Sequence, residues 1–156
     1  MRATAEQITK VIATNRKAGH DYTIHERSEA GIVLVGSEVK SLRGAHVVIQ
    51  DGWVEVRRGQ AFLHGVQINE YTGANRWNHE PERVRKLLMH RHEIAKLETK
   101  TQIKGYTLIP LALYFKGHRV KVELGLVTNK KQHDKRATKK EADDKREMDR
   151  MIKRAR

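Results

Sequence analysis

Apolar side chains occupy every second position from Val120 to Leu126, and this alternation constrains the fold more than any other feature of the chain. A period of two is typical of a strand with one buried face. Lys116-Gly117-His118 forms a turn before it, and Tyr106 to Phe115 has the composition of a partner strand. Within that partner, Pro110 indicates either an edge strand or a bulge. We therefore expect a long hairpin near the end of the folded region.

Further short strands are predicted upstream of this hairpin. Tyr22 to Arg27 alternates, and three β-type segments follow at Val47 to Ile49, Trp53 to Val56 and Ala61 to Ile68, separated by glycine-containing turns. Several short strands with such turns favour a sandwich or a barrel. At the N-terminus, Ile8, Val11 and Ile12 fit either a short amphipathic helix or a docked segment.

The stretch between Ile32 and Gly44 is predicted to be a strand that leads into a short helix. The apolar run Ile32 to Val35 fits a buried strand, and Ser37 is placed to cap the helix that follows. Gly44 suits the left-handed position after its last turn. The predicted helix has one apolar and one basic face, formed by Val39 with Leu42 and by Lys40 with Arg43.

Two helices separated by a break are predicted after a polar loop over residues 72–83. Val84, Leu87 and Leu88 have helical spacing, and Ile94 to Leu97 restarts the apolar pattern out of phase. The break then falls between Met89 and His92. Within the loop, Trp77 either stacks on a nucleic-acid base or covers an edge of the core.

The composition changes after Val127, so we expect one folded domain over residues 1–127 and a basic tail over residues 128–156. The tail holds 12 Lys or Arg and 6 Asp or Glu, with no aromatic residue, Gly or Pro. Met148, Met151 and Ile152 nevertheless recur at helical spacing. Because an isolated helix of this kind is marginal in water, we expect it to be disordered alone and helical on a partner. A solvated, non-specific basic tail is the alternative.

The charge of the chain indicates a polyanionic partner. Its 156 residues carry a formal net charge of +13, which favours nucleic acid over a membrane surface. No segment approaches the roughly 20 apolar residues that span a bilayer, and Met1 to Lys10 lacks the order of a signal peptide. The absence of cysteine is consistent with a cytoplasmic location. With few aromatic residues, the chain is better suited to a folded RNA surface than to a long single strand.

Catalysis is not indicated by the sequence. The nine histidines are scattered, and His92-Glu93-Ile94-Ala95-Lys96 has Lys where the zinc-protease motif requires its second His. There is neither a phosphate-binding glycine loop nor a nucleophile elbow. We therefore expect a binding protein rather than an enzyme, with no catalytic residue, metal or cofactor.

Several collinear motifs resemble those of the small protein B family, the SsrA-binding proteins of bacterial trans-translation. The most specific are Glu29-Ala30-Gly31 and Glu38-Val39-Lys40-Ser41-Leu42-Arg43. The others are Asn15-Arg16-Lys17-Ala18 with His20-Asp21-Tyr22, Arg85-Lys86-Leu87-Leu88 with Glu93-Ile94, Leu111 to Tyr114 with Lys121-Val122, and Lys130 to Arg136. The chain departs from the family pattern in the order of Gly44-Ala45, at Met89, and at Asn129, where Gly is usual before the tail.

The resemblance implies a mainly β protein with an antiparallel barrel of the oligonucleotide-binding type, about six strands and three short helices. It implies binding to the tRNA-like domain of transfer-messenger RNA and delivery of that RNA to stalled ribosomes, where the protein mimics the anticodon half of a tRNA. The implied partners are transfer-messenger RNA, the decoding centre and mRNA channel of the small subunit, and, through the RNA, elongation factor Tu. We expect a monomer.

By their positions in these motifs, individual residues become candidates for contact with the RNA or with the ribosome. For the RNA they are Asn15, Arg16, Lys17, His20, Glu29, Lys40, Arg43, Arg85 and Lys86. For the decoding centre and channel they are Lys130, Lys131, His133, Asp134, Lys135, Arg136, Met151 and Ile152. Since a carboxylate repels phosphate, Glu29 would accept from a base amine or a 2′-hydroxyl, or hold a neighbouring Arg. A purely structural pairing of Glu29 with Arg27 is the alternative.

A second class of function fits the same charge. A generic basic ribosome-associated barrel could coat structured RNA, with a tail that only neutralises phosphates. The two hypotheses differ in whether the tail has a role separate from RNA affinity.

Overall fold

Nine strands and four helices make up the part of the chain described by the computed structural model, residues 9–73, 78–130 and 132–154. The strands are β1 (Thr9–Thr14), β2 (Tyr22–Ile32), β3 (Val47–Val48), β4 (Trp53–Arg57), β5 (Gln60–His64), β6 (Gln67–Ile68), β7 (Arg85–Leu88), β8 (Tyr106–Lys116) and β9 (Arg119–Asn129). The helices are α1 (Ala18–Asp21), α2 (Gly36–Arg43), α3 (Arg91–Thr101) and α4 (Gln132–Arg154).

Six of the strands form a closed antiparallel ring. The order is β8-β4-β5-β7-β2-β9, and β9 pairs again with β8. β1 adds to β8 outside the ring, and β3 pairs with β6 in a separate ribbon. Closure leaves few unpaired strand edges, which suits a small domain that must satisfy its backbone hydrogen bonds. The predicted barrel is confirmed.

The alternating strand β9 fills the barrel as its sequence predicts. Val122 and Leu124 are fully buried, and they pack with side chains of β5, β7 and β8 in one apolar core. In β8 the register with β9 shifts between Pro110 and Ala112, so the bulge is confirmed. The edge-strand alternative is wrong because β8 has pairing partners on both sides.

Two segments whose apolar spacing also fits a helix form strands in the structure. Residues 84–88 were predicted to be helical, but Arg85–Leu88 forms β7, in which the exposed and buried positions alternate. Their apolar spacing fits both structures, and pairing of β7 with β5 and β2 decides between them. At the N-terminus, β1 confirms the docked segment over the amphipathic helix. The predicted second helix is present as α3, with Ile94 and Leu97 buried.

The entry to α2 differs in detail from its prediction. β2 ends at Ile32, and Val33 and Val35 are exposed rather than part of a buried strand. The helix begins at Gly36, so Val35 rather than Ser37 occupies the N-cap position, and the Val35 N–H donates to the Glu38 carboxylate at 3.0 Å.

The exit from α2 also differs. Ala45 adopts the left-handed conformation predicted for Gly44, which has φ −86°. A Cβ at Gly44 would lie 2.7 Å from the His46 ring, so close packing accounts for this glycine.

The tail is helical as α4, which contacts α1. β9 continues to Asn129, and the next residue, Lys130, is tied to α1 by its backbone N–H, which donates to the Asp21 carbonyl at 3.0 Å. The predicted stripe lies on α4 with Met148, Met151 and Ile152 all more than half exposed. Disorder of the isolated tail, like the boundary at residue 127, stays a prediction. Trp77 lies outside the described residues.

In the described ranges, none of the helices is long and apolar enough to cross a bilayer. Those ranges likewise contain no group of three His, Asp or Glu side chains arranged to hold a metal ion.

Candidate nucleic-acid interface

A groove follows the outer surface where β2 lies between β7 and β9. We call it the β2 groove and define it by Glu29, Gly31, Leu88, His90 and Lys121. Gly31 pairs with Leu88 on one side and Lys121 on the other, and a Cβ on it would lie 3.3 Å from Leu88. The groove encloses about 590 Å³, and its leucine is 54% exposed. An exposed apolar side chain beside a cation can contact a base or ribose next to a phosphate.

Glu29 is ionised and partly engaged in this groove. The Tyr114 hydroxyl donates to one of its oxygens, and Lys116 Nζ lies 3.3 Å from the other. The Tyr114 hydrogen bond lowers the pKa of Glu29 most, burial opposes it, and Lys116 and Lys121 lower it further. Burial and the neighbouring Glu29 raise the pKa of Tyr114, which keeps its hydroxyl a donor.

The proposed structural pairing of Glu29 with Arg27 is wrong. Arg27 instead donates to Glu123 across β2 and β9 at 2.7 Å. Because a carboxylate can accept about four hydrogen bonds, Glu29 retains capacity for a base amine or a 2′-hydroxyl.

A second basic surface lies on α2. Lys40 and Arg43 are exposed as predicted, while Glu38 and Leu42 of the same helix are buried. The Lys40 ammonium lies 5.6 Å from the centroid of the Tyr71 ring, within cation–π range. α2 therefore presents two cations on a helix whose other face is fixed in the barrel.

Arg85 does not belong to the interface, and its prediction as an RNA contact is corrected. Its side chain is fully buried and donates to the Glu38 carboxylate, to the Val66 carbonyl at 2.8 Å and to the Pro81 carbonyl at 3.0 Å. Arg83 donates to the other oxygen of the same carboxylate. A guanidinium with these partners positions α2 and cannot reach a phosphate.

The N-terminal motif forms a third basic surface around α1. Arg16, Lys17 and His20 are exposed. Asn15 turns inward, since its side-chain amide donates to the Pro110 carbonyl at 3.1 Å, so its role is to hold the loop. Lys130 Nζ donates to the Gly19 carbonyl at 2.7 Å, which places the start of the tail beside this surface.

The remaining predicted contacts divide between β7 and the tail. Lys86 is exposed on β7, two residues before the groove residue Leu88. Arg136, Met151 and Ile152 are exposed on α4. The side chains of Lys131, His133, Asp134 and Lys135 lie outside those that the structure describes.

Leu88, Lys116 and Lys121 were not identified as site residues from the sequence. For Lys121 the signal was present, because the alternation in β9 directs it away from the apolar face. Leu88 gave no such signal, since an apolar residue is ordinarily expected inside.

A closed antiparallel barrel with separate cationic surfaces and a basic helical extension is the architecture typical of a small nucleic-acid-binding protein. The SmpB protein family model matches residues 12–154, and the chain therefore belongs to the SmpB protein family. The resemblance found from the motifs is confirmed.

Similar proteins cover nearly the whole chain. The SsrA-binding protein of Syntrophobacter fumaroxidans (strain DSM 10017 / MPOB) is 54% identical over 154 residues, 99% of this chain and 95% of that protein. The SsrA-binding protein of Thermobifida fusca (strain YX) is 50% identical over 147 residues, 94% and 92% of the two chains. A solved structure described as "tmRNA-SmpB: a journey to the center of the bacterial ribosome" has a TM-score of 0.65 and 43% identity, covering 77% of this chain and 85% of that one.

Proposed function

We propose that this protein binds the tRNA-like domain of transfer-messenger RNA and delivers that RNA to stalled ribosomes for trans-translation. Membership of the SmpB protein family over residues 12–154 is the observation that carries the proposal. Relatives are named for binding SsrA, and the description of the matching structure joins tmRNA, SmpB and the bacterial ribosome. The protein acts as a cytoplasmic monomer without chemistry of its own, and elongation factor Tu is reached through the RNA.

In this proposal the barrel binds the RNA and occupies the place of the anticodon half of a tRNA. The contacts come from the three surfaces and from β7. They are Arg16, Lys17 and His20 around α1, Lys40 and Arg43 on α2, Glu29 and Lys121 in the β2 groove, and Lys86 on β7. Asn15 and Arg85 support them from within. The tail enters the decoding centre and the empty mRNA channel through Lys130, Lys131, His133, Asp134, Lys135, Arg136, Met151 and Ile152.

The proposal is tested by comparing the full chain with residues 1–130 for binding to the tRNA-like domain, with ordinary tRNA as competitor. The shorter chain keeps all of β9 and the tie between Lys130 and α1. We expect tight, selective and similar binding by both across a salt series. Weak, unselective binding that depends on the tail would refute the proposal and leave a generic RNA-coating protein.

Replacing Lys121 by alanine is expected to weaken binding to the tRNA-like domain and to reduce the slope of log K against log salt by roughly one. Lys145→Ala is a matched control, because Lys145 is exposed on α4, which this proposal assigns to the ribosome rather than to the tRNA-like domain. Filter binding at several salt concentrations measures both variants. Equal slopes for the two would place the RNA elsewhere than the β2 groove.

A further inference from the structure

A second concave site lies on the barrel away from the β2 groove. We call it the Trp53 cleft and define it by Tyr22, Gln50, Asp51, Trp53, Thr107 and Ile109. It encloses about 270 Å³, near the lower end of small-molecule sites, which begin at about 300 Å³. A single planar ring system is therefore the size of ligand it suits.

Trp53 forms a supported aromatic wall of this cleft. Its indole is stacked on the His64 ring, with centroids 4.2 Å apart and planes 9° apart. His64 is held in turn by a 2.9 Å contact between its Nε2 and Glu55. Trp53 nevertheless remains 45% exposed, although a tryptophan with no ligand is normally much more buried. The stack holds an open indole surface in one orientation before any partner arrives.

The other walls combine apolar and polar groups. Tyr22 is half-buried and packs on the small cluster that contains Ile109, which is itself 4% exposed. Gln50 and Asp51 are both exposed at the cleft, one with an amide and one with a carboxylate. Aromatic walls beside a few hydrogen-bonding groups are the means by which proteins hold an unstacked base.

The position of the cleft favours RNA as the source of the ligand. Tyr22 follows α1 directly and pairs with Asn129, so the cleft adjoins both the exposed cations of the N-terminal motif and the start of the tail. Since the chain carries a net charge of +13, its surface attracts a polyanionic partner.

We propose that the Trp53 cleft receives one unstacked nucleobase of the bound RNA. Trp53 stacks on the base, and Asp51 accepts a hydrogen bond from its exocyclic amine. The cleft therefore prefers cytosine, adenine or guanine to uracil, whose Watson–Crick edge has no amine. The identity of the RNA rests on the proposed function above, whereas the nature of the ligand rests on the cleft.

The test uses the full chain with Trp77→Phe, which leaves Trp53 as the only tryptophan. Saturation with the tRNA-like domain is expected to quench Trp53 fluorescence. Trp53→Ala is expected to weaken binding about tenfold, equivalent to about 1.4 kcal/mol and within the range of one base stack. Trp53→Phe, which keeps a smaller ring, is expected to lose less.

Base preference is measured with short single-stranded probes. Oligocytidine should quench Trp53 at lower concentration than oligouridine, and Asp51→Asn should reduce that difference. Thermal unfolding of each variant separates a loss of binding from a loss of folding, and the quenching experiment needs no change at Trp53.

The outcomes distinguish this inference from the proposed function. Normal affinity for the tRNA-like domain, with unquenched Trp53 and no effect of Trp53→Phe, would overturn the cleft and leave the proposed function intact. Failure of the Trp77→Phe chain and the unaltered chain to bind that RNA at all would overturn both. Quenching with equal response to the two probes would overturn the role of Asp51.

Discussion

Glu38→Ala is expected to lower the free energy of unfolding by about 3–5 kcal/mol, the usual effect of removing one partner from a buried ion pair. Glu38 and Arg85 are both fully buried, and the carboxylate is the only acidic partner of the Arg85 guanidinium within the described part of the chain. Without it, a charge would remain in the core with two backbone carbonyls alone. The midpoint of thermal unfolding should fall by about 10 °C.

Calorimetry with Glu82→Ala as the control would measure this effect, because Glu82 is exposed on the loop before β7. The double variant Glu38→Met with Arg85→Met should be less destabilised than the sum of the single variants, since an apolar pair leaves no unpaired charge. A loss for Glu38→Ala that matched the small loss for Glu82→Ala would contradict the structural role given to this pair.

The same carboxylate makes stability depend on acid. Burial alone would raise the pKa of Glu38, but hydrogen bonds from Arg83, the Val35 N–H and Arg85 outweigh it, and the pKa lies below its ordinary value of 4.5. Its contribution is therefore complete above pH 4.5 and is lost as the pH falls through the folded pKa. Urea unfolding of Glu38→Gln should consequently show a shallower decline of stability in acid than the unaltered chain.

Breaking α4 is expected to abolish tagging on stalled ribosomes without destabilising the barrel. Ala142→Pro removes a hydrogen bond in the helix interior and clashes with the preceding turn, at about 3 kcal/mol or more. The apolar stripe of α4 is exposed, with Met148, Met151 and Ile152 at 66%, 62% and 55%, so its loss removes little from the core. The change should therefore affect only the binding of a partner that contacts the helix.

Tagging would be measured in a reconstituted translation system on a message without a stop codon. Ala142→Ser is the matched control, because it changes the same exposed position and leaves the helix intact. All variants should bind the tRNA-like domain within about twofold of the unaltered chain. That difference is much smaller than a tenfold change in affinity, which corresponds to about 1.4 kcal/mol. Normal tagging by Ala142→Pro would show that the tail acts through its charge alone.

The sequence predicted the barrel where local and long-range preferences agree. In β9 the period of two marks a strand in any context, and the same residues fill the core in the structure. For residues 84–88 the apolar spacing fitted a helix equally well. Pairing of β7 with β5 and β2 favours the strand, and there Arg85 donates to Glu38, which lies 47 positions away. A local pattern contains no information about that partner.

The candidate site was predicted to the extent that motif residues lie on the surface. Lys40 and Arg43 are exposed on α2, and Lys86 on β7. Arg85 and Asn15 turn inward because backbone carbonyls of distant segments accept from them. The residue type alone does not distinguish an arginine that binds a phosphate from one that donates hydrogen bonds to a backbone carbonyl.

The closed ring also has a consequence for synthesis of the protein. β9 pairs with both β2 and β8 and is the last strand in the described part of the chain. The pairing of Tyr22 with Asn129 therefore cannot form until residue 129 has been synthesised. Such distant partners predict slow folding that cannot finish before β9 has been synthesised. A chain cut short before β9 would leave two long strand edges open, which invites aggregation and recognition by proteases.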